Sequence, residues 1–409
     1  MEGTEYNDRH MEMKFVIDKI TNDEAYPNLA NGNAVPLSDE WQQFSTVTPY
    51  SEPVMLFKYL SECNVPYSFV DYDCEGAFYP IALSYFDFSI DWFELMSATL
   101  ISKLKDGVIT VLFYYSEGDN PHDIDAHLSK QCNEHDIPRA QVKFISANSV
   151  ANDIDYFYHI VDDELLFQYR NKKHPPGFYH EETRQKKFTA LVRMHKFWRA
   201  NTMASLWRGR FDADGYFAYG DEVTAGEVET DNPIEVDNYV GLRKLTDIFL
   251  SCVPFSADSM TSIEHNDHVL QVRKHYEDAY VNIVLESHMD VDQSNGVFLT
   301  EKTFKPIKNS QLFIIFGAVG SIQHLRDIGY KTFDTVINHK YDKIQNTTKR
   351  WKSAMDTTTA LLSHSNNDIK QMYIACKDDI IHNQSLFHES KKNRLTKFKP
   401  RNKNEELLA

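Results

Sequence analysis

The sequence predicts a two-domain α/β protein with mainly parallel sheets, and three observations lead to that class. Short apolar or β-branched runs alternate with segments of helical periodicity, as in parallel strands joined by crossover helices. At 409 residues the chain is longer than one core usually organises. Hydrophobic residues make up 42% of the chain and aromatic residues 13%, which is typical of packed globular domains rather than of disorder.

The first half contains a series of short strand-like runs. The predicted strands are 13–17, 67–70, 108–115, 142–146, 156–160 and 165–169. Residues 123–134 have helical periodicity and complete a β-α-β unit. The segment from Lys172 to Phe178 contains two prolines and a glycine, so we predict a linker there and a domain boundary near residue 178.

The second half restarts the same alternation. Its predicted strands are 187–192, 279–285 and 311–316, and its predicted helices are 195–207, 240–252 and 300–308. From Lys349 onward the chain is predicted to be helical and to end in a basic tail, 391–401. The predicted organisation is therefore an N-terminal domain, 1–178, a second domain, 179–348, and a C-terminal helical segment, 349–409.

Charge and cysteine content limit the class of protein. The formal net charge of −17 makes general attraction to nucleic acid or to an anionic membrane unfavourable. The five cysteines are scattered and form no C-x-x-C pair, so we expect reduced, buried thiols. Neither a secretory signal nor a membrane-spanning run is recognisable, and we expect a cytoplasmic protein.

The most informative segment is 298–307, where an apolar strand end meets Glu301, Lys302 and Lys305 at a predicted strand-to-helix turn. Backbone N–H groups at a helix start and a lysine ammonium can face phosphate, while a carboxylate accepts hydrogen bonds from a ribose diol. A nucleotide-sugar is the ligand that fits this combination. The alternative is a solvated capping turn with Thr300 as N-cap and the lysines on an exposed face.

Two further groups lie at predicted strand ends. Glu286 and His288 follow the strand 279–285, and the carboxyl ends of parallel strands form the ligand edge of an α/β sheet. The second group follows the strand 187–192 at the start of a helix and consists of Arg193, Lys196 and Arg199. Positive charge at a helix start is unfavourable with the helix dipole, and a bound anion would offset that cost. A solvated basic helix face is the alternative interpretation.

The runs 191–216 and 286–333 resemble the donor-binding half of glycosyltransferases related to the α1,3-fucosyltransferases, which have viral and bacterial relatives of uncertain acceptor. The resemblance covers about the second half of the chain and depends mainly on Thr300-Glu-Lys302. It implies two facing Rossmann-like domains (GT-B), with the nucleotide held by the second. It also implies that Glu301 binds ribose, that Lys302 and Arg193 bind the diphosphate, and that Arg199 assists them. The segment Lys305-Pro-Ile-Lys-Asn309 departs from the family pattern, so the resemblance does not imply which sugar is transferred.

An inverting transfer needs a base for the acceptor hydroxyl, and such enzymes usually take a carboxylate from the first domain. Glu117 and Asp119 follow the predicted strand 108–115 and are our candidates. A polar turn before Pro121 would use the same residue types.

Asp-x-Asp triplets offer a metal-dependent alternative. They occur at Asp71/Asp73, Asp123/Asp125, Asp153/Asp155, Asp212/Asp214 and Asp290/Asp292. Since an aspartate-rich chain produces such triplets by chance and arginine and lysine can neutralise phosphate, we expect neither a metal nor another cofactor. The chain also lacks the G-x-x-x-x-G-K-[ST], G-x-G-x-x-G and G-x-S-x-G motifs of NTPases, dehydrogenases and hydrolases.

We therefore expect a metal-independent glycosyltransferase whose donor is a nucleotide-sugar. The acceptor stays open among a glycan, a small molecule and modified DNA, which the basic tail would contact. The rival hypothesis is a non-catalytic nucleotide-binding or assembly protein.

Overall fold

A computed structural model describes residues 12–17, 56–57, 60, 66–83, 86–115, 118, 120–149, 157–158, 179–222, 241–253, 273–289 and 296–389. These residues form two compact units, each with its own parallel sheet. The predicted α/β class is thereby confirmed. The predicted strand 165–169, the linker 172–178 and the basic tail 391–401 lie outside the described residues.

The first unit is built on a six-stranded sheet in the order β2-β1-β3-β4-β5-β6, and every neighbouring pair is parallel. The strands are β1 (Met13–Phe15), β2 (Tyr67–Phe69), β3 (Ala77–Leu83), β4 (Ile109–Tyr115), β5 (Val142–Ser146) and β6 (Phe157–Tyr158). Two helices that are described over their full length are α1 (Ala98–Lys105) and α2 (Pro121–Glu134). Asn120 caps α2 by accepting from the His122 N–H, and Pro121 begins it, as the sequence around the predicted helix 123–134 favours.

Strand β3 is absent from the sequence prediction, because Pro80 interrupts its apolar run. The structure explains how a central strand tolerates this proline. The Val16 N–H donates to the Phe78 carbonyl at 2.9 Å, so Phe78 faces β1. Pro80 faces the same side two residues later, beyond the end of β1 at Phe15, where the strand pairing no longer requires an N–H donor.

The second unit has a four-stranded sheet in the order β10-β9-β7-β8, again entirely parallel. The strands are β7 (Lys186–Met194), β8 (Gly215–Glu222), β9 (Ala279–Leu285) and β10 (Leu312–Phe316). The helices are α3 (Phe197–Arg208), α4 (Leu242–Leu250), α5 (Arg273–Glu277), α6 (Glu301–Lys308) and α7 (Ser321–Asp327). Strands β7, β9 and β10 and helices α3, α4 and α6 confirm the predicted elements, whereas β8 and α7 were not predicted.

Three C-terminal helices complete the second unit. They are α8 (Thr347–Leu362), α9 (Asn366–Ala375) and α10 (Lys377–Glu389). Trp351, Tyr373 and Phe387 belong to the same buried core as the strands β7, β9 and β10. The indole N–H of Trp351 also donates to Thr202 Oγ1 of α3 at 2.8 Å. These helices therefore share the core of the second sheet.

The four described cysteines are free. Cys132 and Cys376 are buried, and burial raises the pKa of each thiol to about 11, which suits inert core residues. Cys252 is exposed, so the expectation of buried thiols is wrong for this residue. Among the described residues, no helix combines the length and apolar character that crossing a bilayer requires.

Candidate functional site

The strand order of the second sheet creates a switch point between β7 and β9. From β7 the chain moves outward to β8, and it then returns to the other side of β7 to form β9 and β10. In open α/β sheets, ligands bind in the crevice outside the carboxyl ends of the strands at which the order reverses. The end of β7 and the end of β9 are the two walls of this position, which we call the switch crevice.

Strand pairing shows where the crevice opens. The pairing of β7 with β9 ends at Thr189 and Asn282, whereas β9 and β10 stay paired to Leu285 and Phe316. Arg193 follows Thr189 by four residues near the end of β7, and Glu286 follows Asn282 by four residues, directly after β9. The two predicted groups of site residues are thus placed on adjacent strands at one edge.

Glu286 is fully buried at the end of β9. Its carboxylate accepts hydrogen bonds from the Thr300 N–H at 3.1 Å, the Thr300 hydroxyl at 2.7 Å and the Thr303 hydroxyl at 2.5 Å. It also accepts from the Ser287 N–H at 3.2 Å. A carboxylate at a helix N-terminus is stabilised by the helix dipole. Glu286 therefore holds the start of α6 against the end of β9, and its contact with a donor stays a prediction.

Glu301 and Lys302, next to the Thr300 that contacts this buried carboxylate, form the predicted acid–base pair. Thr300 is the N-cap of α6, and its hydroxyl accepts from the Lys302 N–H at 3.3 Å. The Lys302 ammonium lies 3.2 Å from Glu301 Oε1, 3.3 Å from Thr300 Oγ1 and 3.4 Å from Ser287 Oγ. The Glu301 side chain is 13% exposed and that of Lys302 is 32% exposed. Thr300 is thus an N-cap, as the alternative interpretation held, but the lysines are only partly exposed and do not form the exposed face that it expected. The turn also places a carboxylate beside an ammonium at the switch crevice.

Arg199 connects the two walls of the crevice. It lies in the first turn of α3 and is 4% exposed. Its Nη2 donates to the Glu286 carbonyl at 2.7 Å, across 87 residues of sequence. The guanidinium also lies 5.4 Å from the Trp198 ring centroid, within cation–π range. The buried Arg199 side chain thus connects the start of α3 to the end of β9, and it places a positive charge at the switch crevice.

The remaining predicted donor contacts lie around this centre. Arg193 is the penultimate residue of β7 and is half-buried, and Lys196 is the N-cap of α3. His288 is two residues beyond Glu286, with its ring centroid 5.9 Å from that of Phe298. Lys305 lies one turn further along α6 and is also half-buried.

The predicted bases Glu117 and Asp119 lie outside the described residues. Between them, the Gly118 carbonyl accepts from the Asn148 amide at 3.1 Å, two residues beyond the end of β5.

The Asp-x-Asp triplets are distributed over unrelated places. Asp73 forms an ion pair with Lys103 at 2.6 Å, Asp125 with Arg139, and Asp214 with Lys187 at 2.9 Å. The triplets at Asp153/Asp155 and Asp290/Asp292 lie outside the described part of the chain. No group of three or more histidine, cysteine or carboxylate side chains that could hold a metal occurs within the described ranges.

At the turn after β10, the first backbone N–H groups of α7 are already hydrogen-bonded to a protein side chain. Asp342 accepts from the Ile322 N–H at 2.8 Å and the Gln323 N–H at 3.0 Å at the start of α7. Burial raises the pKa of this carboxyl group, while the two N–H donors act in the opposite direction. The start of α7 is therefore capped internally.

Sequence reasoning missed three supports of the crevice. Ser287 accepts a hydrogen bond from Lys302, and Thr303 donates one to Glu286. For Thr303, the Thr-x-x-Thr spacing that begins at the N-cap Thr300 was the available signal.

The third support is Arg350 of α8, which donates to the carbonyls of Met289 and Gly317 after β9 and β10. No local pattern indicates this role, because Arg350 lies 61 residues beyond Met289.

No family model matches the chain, and comparisons with curated proteins and with solved structures also find no match. The functional interpretation therefore rests on the geometry of the switch crevice.

Proposed function

We propose that the protein is a glycosyltransferase of the two-Rossmann (GT-B) type that transfers a sugar from a nucleotide-sugar to a hydroxyl acceptor. One observation carries the proposal. Two β-to-α junctions rich in cationic residues meet at the switch point of one parallel sheet, where Arg199 donates to the Glu286 carbonyl at 2.7 Å. This is the position at which nucleotides bind in open α/β sheets.

Each residue of the crevice has a chemical role in this proposal. The Glu301 carboxylate accepts hydrogen bonds from the ribose hydroxyls, and Lys302 and Arg193 neutralise the diphosphate. Lys196, at the start of α3, adds positive charge at a helix N-terminus, which is itself favourable for anions. Arg199 and Glu286 act indirectly, because both are buried and hold the two junctions together.

The reaction we propose is a direct displacement with inversion. A carboxylate of the first unit, Glu117 or Asp119, takes the proton from the acceptor hydroxyl. The acceptor oxygen forms a bond to the anomeric carbon as the bond from that carbon to the phosphate oxygen breaks. The nucleoside diphosphate leaves with the electron pair, and cationic side chains stabilise its growing charge. Lysine and arginine can supply this stabilisation without a metal.

The test is a thermal-shift and turnover screen of the full chain against GDP-, UDP- and dTDP-sugars in the presence of EDTA. A ligand that binds only the folded state raises the melting temperature. We expect Lys302→Ala to lower turnover by about 100-fold, in the range found when one charge-stabilising donor is removed. Lys331→Ala, at an exposed lysine outside the crevice, is the control and should retain activity.

Other results of this screen would favour a different function or acceptor. Binding without hydrolysis or transfer would favour a non-catalytic nucleotide-binding protein. Transfer only to duplex DNA with hydroxylated bases, with salt-sensitive binding, would identify modified DNA as the acceptor. If no nucleotide-sugar shifts the melting temperature, the proposal is wrong. If Glu117→Ala and Asp119→Ala leave turnover unchanged, only the assignment of the base fails.

A further inference from the structure

Strand β8 carries an extra residue beside Arg193. Val192 pairs with Tyr219, and Met194 pairs with Glu222, so that Gly220 and Asp221 of β8 lie opposite the single residue Arg193. This is a β-bulge, a feature that is rare between parallel strands and that often redirects a side chain next to a functional site. It occurs on an edge strand, at the carboxyl end of the sheet.

Gly220 is the residue that makes the bulge possible. A Cβ at this position would lie 2.5 Å from the Arg193 carbonyl oxygen and 3.3 Å from its carbonyl carbon. The obstructing atoms belong to the backbone, so they cannot move aside as the end of a flexible side chain could. Any larger residue at position 220 must displace β8, the end of β7, or both.

Tyr219 holds strand β8 in place immediately before the bulge, so β8 cannot simply shift away from β7. Tyr219 is fully buried, and its ring centroid lies 5.3 Å from that of Phe249 in α4. Its hydroxyl lies 2.8 Å from His195 Nδ1, two residues beyond Arg193. Displacement at Gly220 is therefore transmitted to the segment of β7 that bears Arg193.

We propose that Gly220 is a positioning residue that sets the direction of the β7 end and thereby places Arg193 at the switch crevice. The contact of Arg193 with a diphosphate rests on the proposed function. The control of Arg193 by Gly220 does not, and it can be measured without a ligand.

The experiment compares Gly220→Ala with Gly215→Ala in the full chain. Gly215 lies on the same strand, and a Cβ there would lie 2.4 Å from the Phe188 ring of the same neighbour β7, but at the opposite end of the sheet. The first measurement is the rate of phenylglyoxal modification of Arg193, quantified by peptide mass spectrometry. The second is the affinity for GDP and UDP by calorimetry.

We expect the Arg193 modification rate to change at least about threefold in Gly220→Ala and to stay unchanged in Gly215→Ala. We expect GDP or UDP affinity to fall at least about tenfold in the first variant and less than about twofold in the second, the effect of a lost charge-assisted contact. An unchanged Arg193 rate in folded Gly220→Ala, or an equal change in Gly215→Ala, overturns the proposal.

The two proposals can fail separately. If the wild-type chain binds neither GDP nor UDP while only Gly220→Ala alters Arg193 reactivity, positioning by Gly220 stands and the diphosphate role of Arg193 fails. If Gly220→Ala does not fold, deletion of Asp221 replaces it, because a regular ladder without the extra residue must also reorient Arg193. The deletion is expected to change the Arg193 rate by a similar factor, and an unchanged rate overturns the proposal.

Discussion

At the scale of single residues, Glu286 determines the geometry of the switch crevice. Its buried carboxylate is in contact with the backbone of Thr300 and with the hydroxyls of Thr300 and Thr303. Hydrogen bonds to a charged group are stronger than neutral ones, and leaving such donors unpaired in a buried site is costly. The orientation of Glu301 and Lys302 therefore depends on a side chain that does not itself reach solvent.

Lys308, at the end of α6, is an unusual residue in the same helix. Its side chain is fully buried, and its ammonium donates no hydrogen bond to any residue in the described ranges. Burial, with a smaller contribution from the like charge of Lys305, lowers the pKa of Lys308 from 10.5 to about 8. A lysine whose pKa is lower in the folded state binds fewer protons there than in the unfolded chain. Stability should therefore rise as the pH increases from about 8 to 10.5.

The prediction is that Lys308→Met stabilises the protein at pH 7. The gain should be about 2 kcal/mol, since replacing an unpaired buried charge by an apolar side chain of similar size removes a desolvation penalty. Urea unfolding at pH 7 and pH 10 measures it, with exposed Lys331→Met as the control. The advantage of Lys308→Met should shrink at pH 10, and a variant less stable than wild type at pH 7 would contradict the assignment.

Residue-level reasoning from sequence located the acid–base pair because Thr300, Glu301 and Lys302 are adjacent in the chain. It predicted Glu286 as a donor contact but not the hydrogen bonds of Glu286 to Thr300 and Thr303, since a carboxylate at a strand end gives no sign of which groups will cover it. The roles of Gly220 and Lys308 depend on contacts with other elements, and local sequence does not encode them.

At the scale of elements, α8 fastens the loops that follow β9 and β10. Arg350 is 2% exposed and donates to four backbone carbonyls, those of Met289, Gly317, Ile344 and Gln345. An arginine fork suits this arrangement, since its planar guanidinium presents donors in several fixed directions. The helix thus stabilises the carboxyl edge of the sheet from a distance.

Replacing this arginine should loosen that edge. We predict that Arg350→Met lowers the free energy of unfolding by about 3 kcal/mol, because it leaves several buried carbonyls without donors. Urea denaturation measures the change, and Lys349→Met, at the adjacent exposed position, should alter stability by less than about 0.5 kcal/mol. Equal stability of the two variants would show that the carbonyls find other donors.

Elements with mostly apolar runs, such as β4, β9 and β10, were predictable because strands buried on both faces are rich in apolar residues. Strand β3 was missed because Pro80 usually terminates a strand, and only the early end of β1 removes that conflict. The bulge in β8 was not predictable either, since it is defined by the register with β7.

At the scale of the whole molecule, the alternation of strands and helices predicted the α/β class and the parallel sheets. The order of the strands could not be predicted from the sequence, because it depends on pairings between segments far apart in the chain. The switch point between β7 and β9 became visible only once β8 was placed on the outer side of β7. The proposed donor site lies entirely within the second unit, on one sheet and its flanking helices.

This location predicts that donor binding and transfer can be separated. The second unit, Ile160–Ser390, has its own sheet and a core that includes α8, α9 and α10, so we expect this fragment to fold alone. Under the proposed function it should bind GDP or UDP with an affinity within about threefold of the full chain, yet transfer no sugar, because Glu117 and Asp119 are absent. Thermal unfolding and calorimetry, with the full chain as control, test both statements. A folded fragment that binds no nucleoside diphosphate, while the full chain does, would show that the switch crevice is insufficient as a donor site.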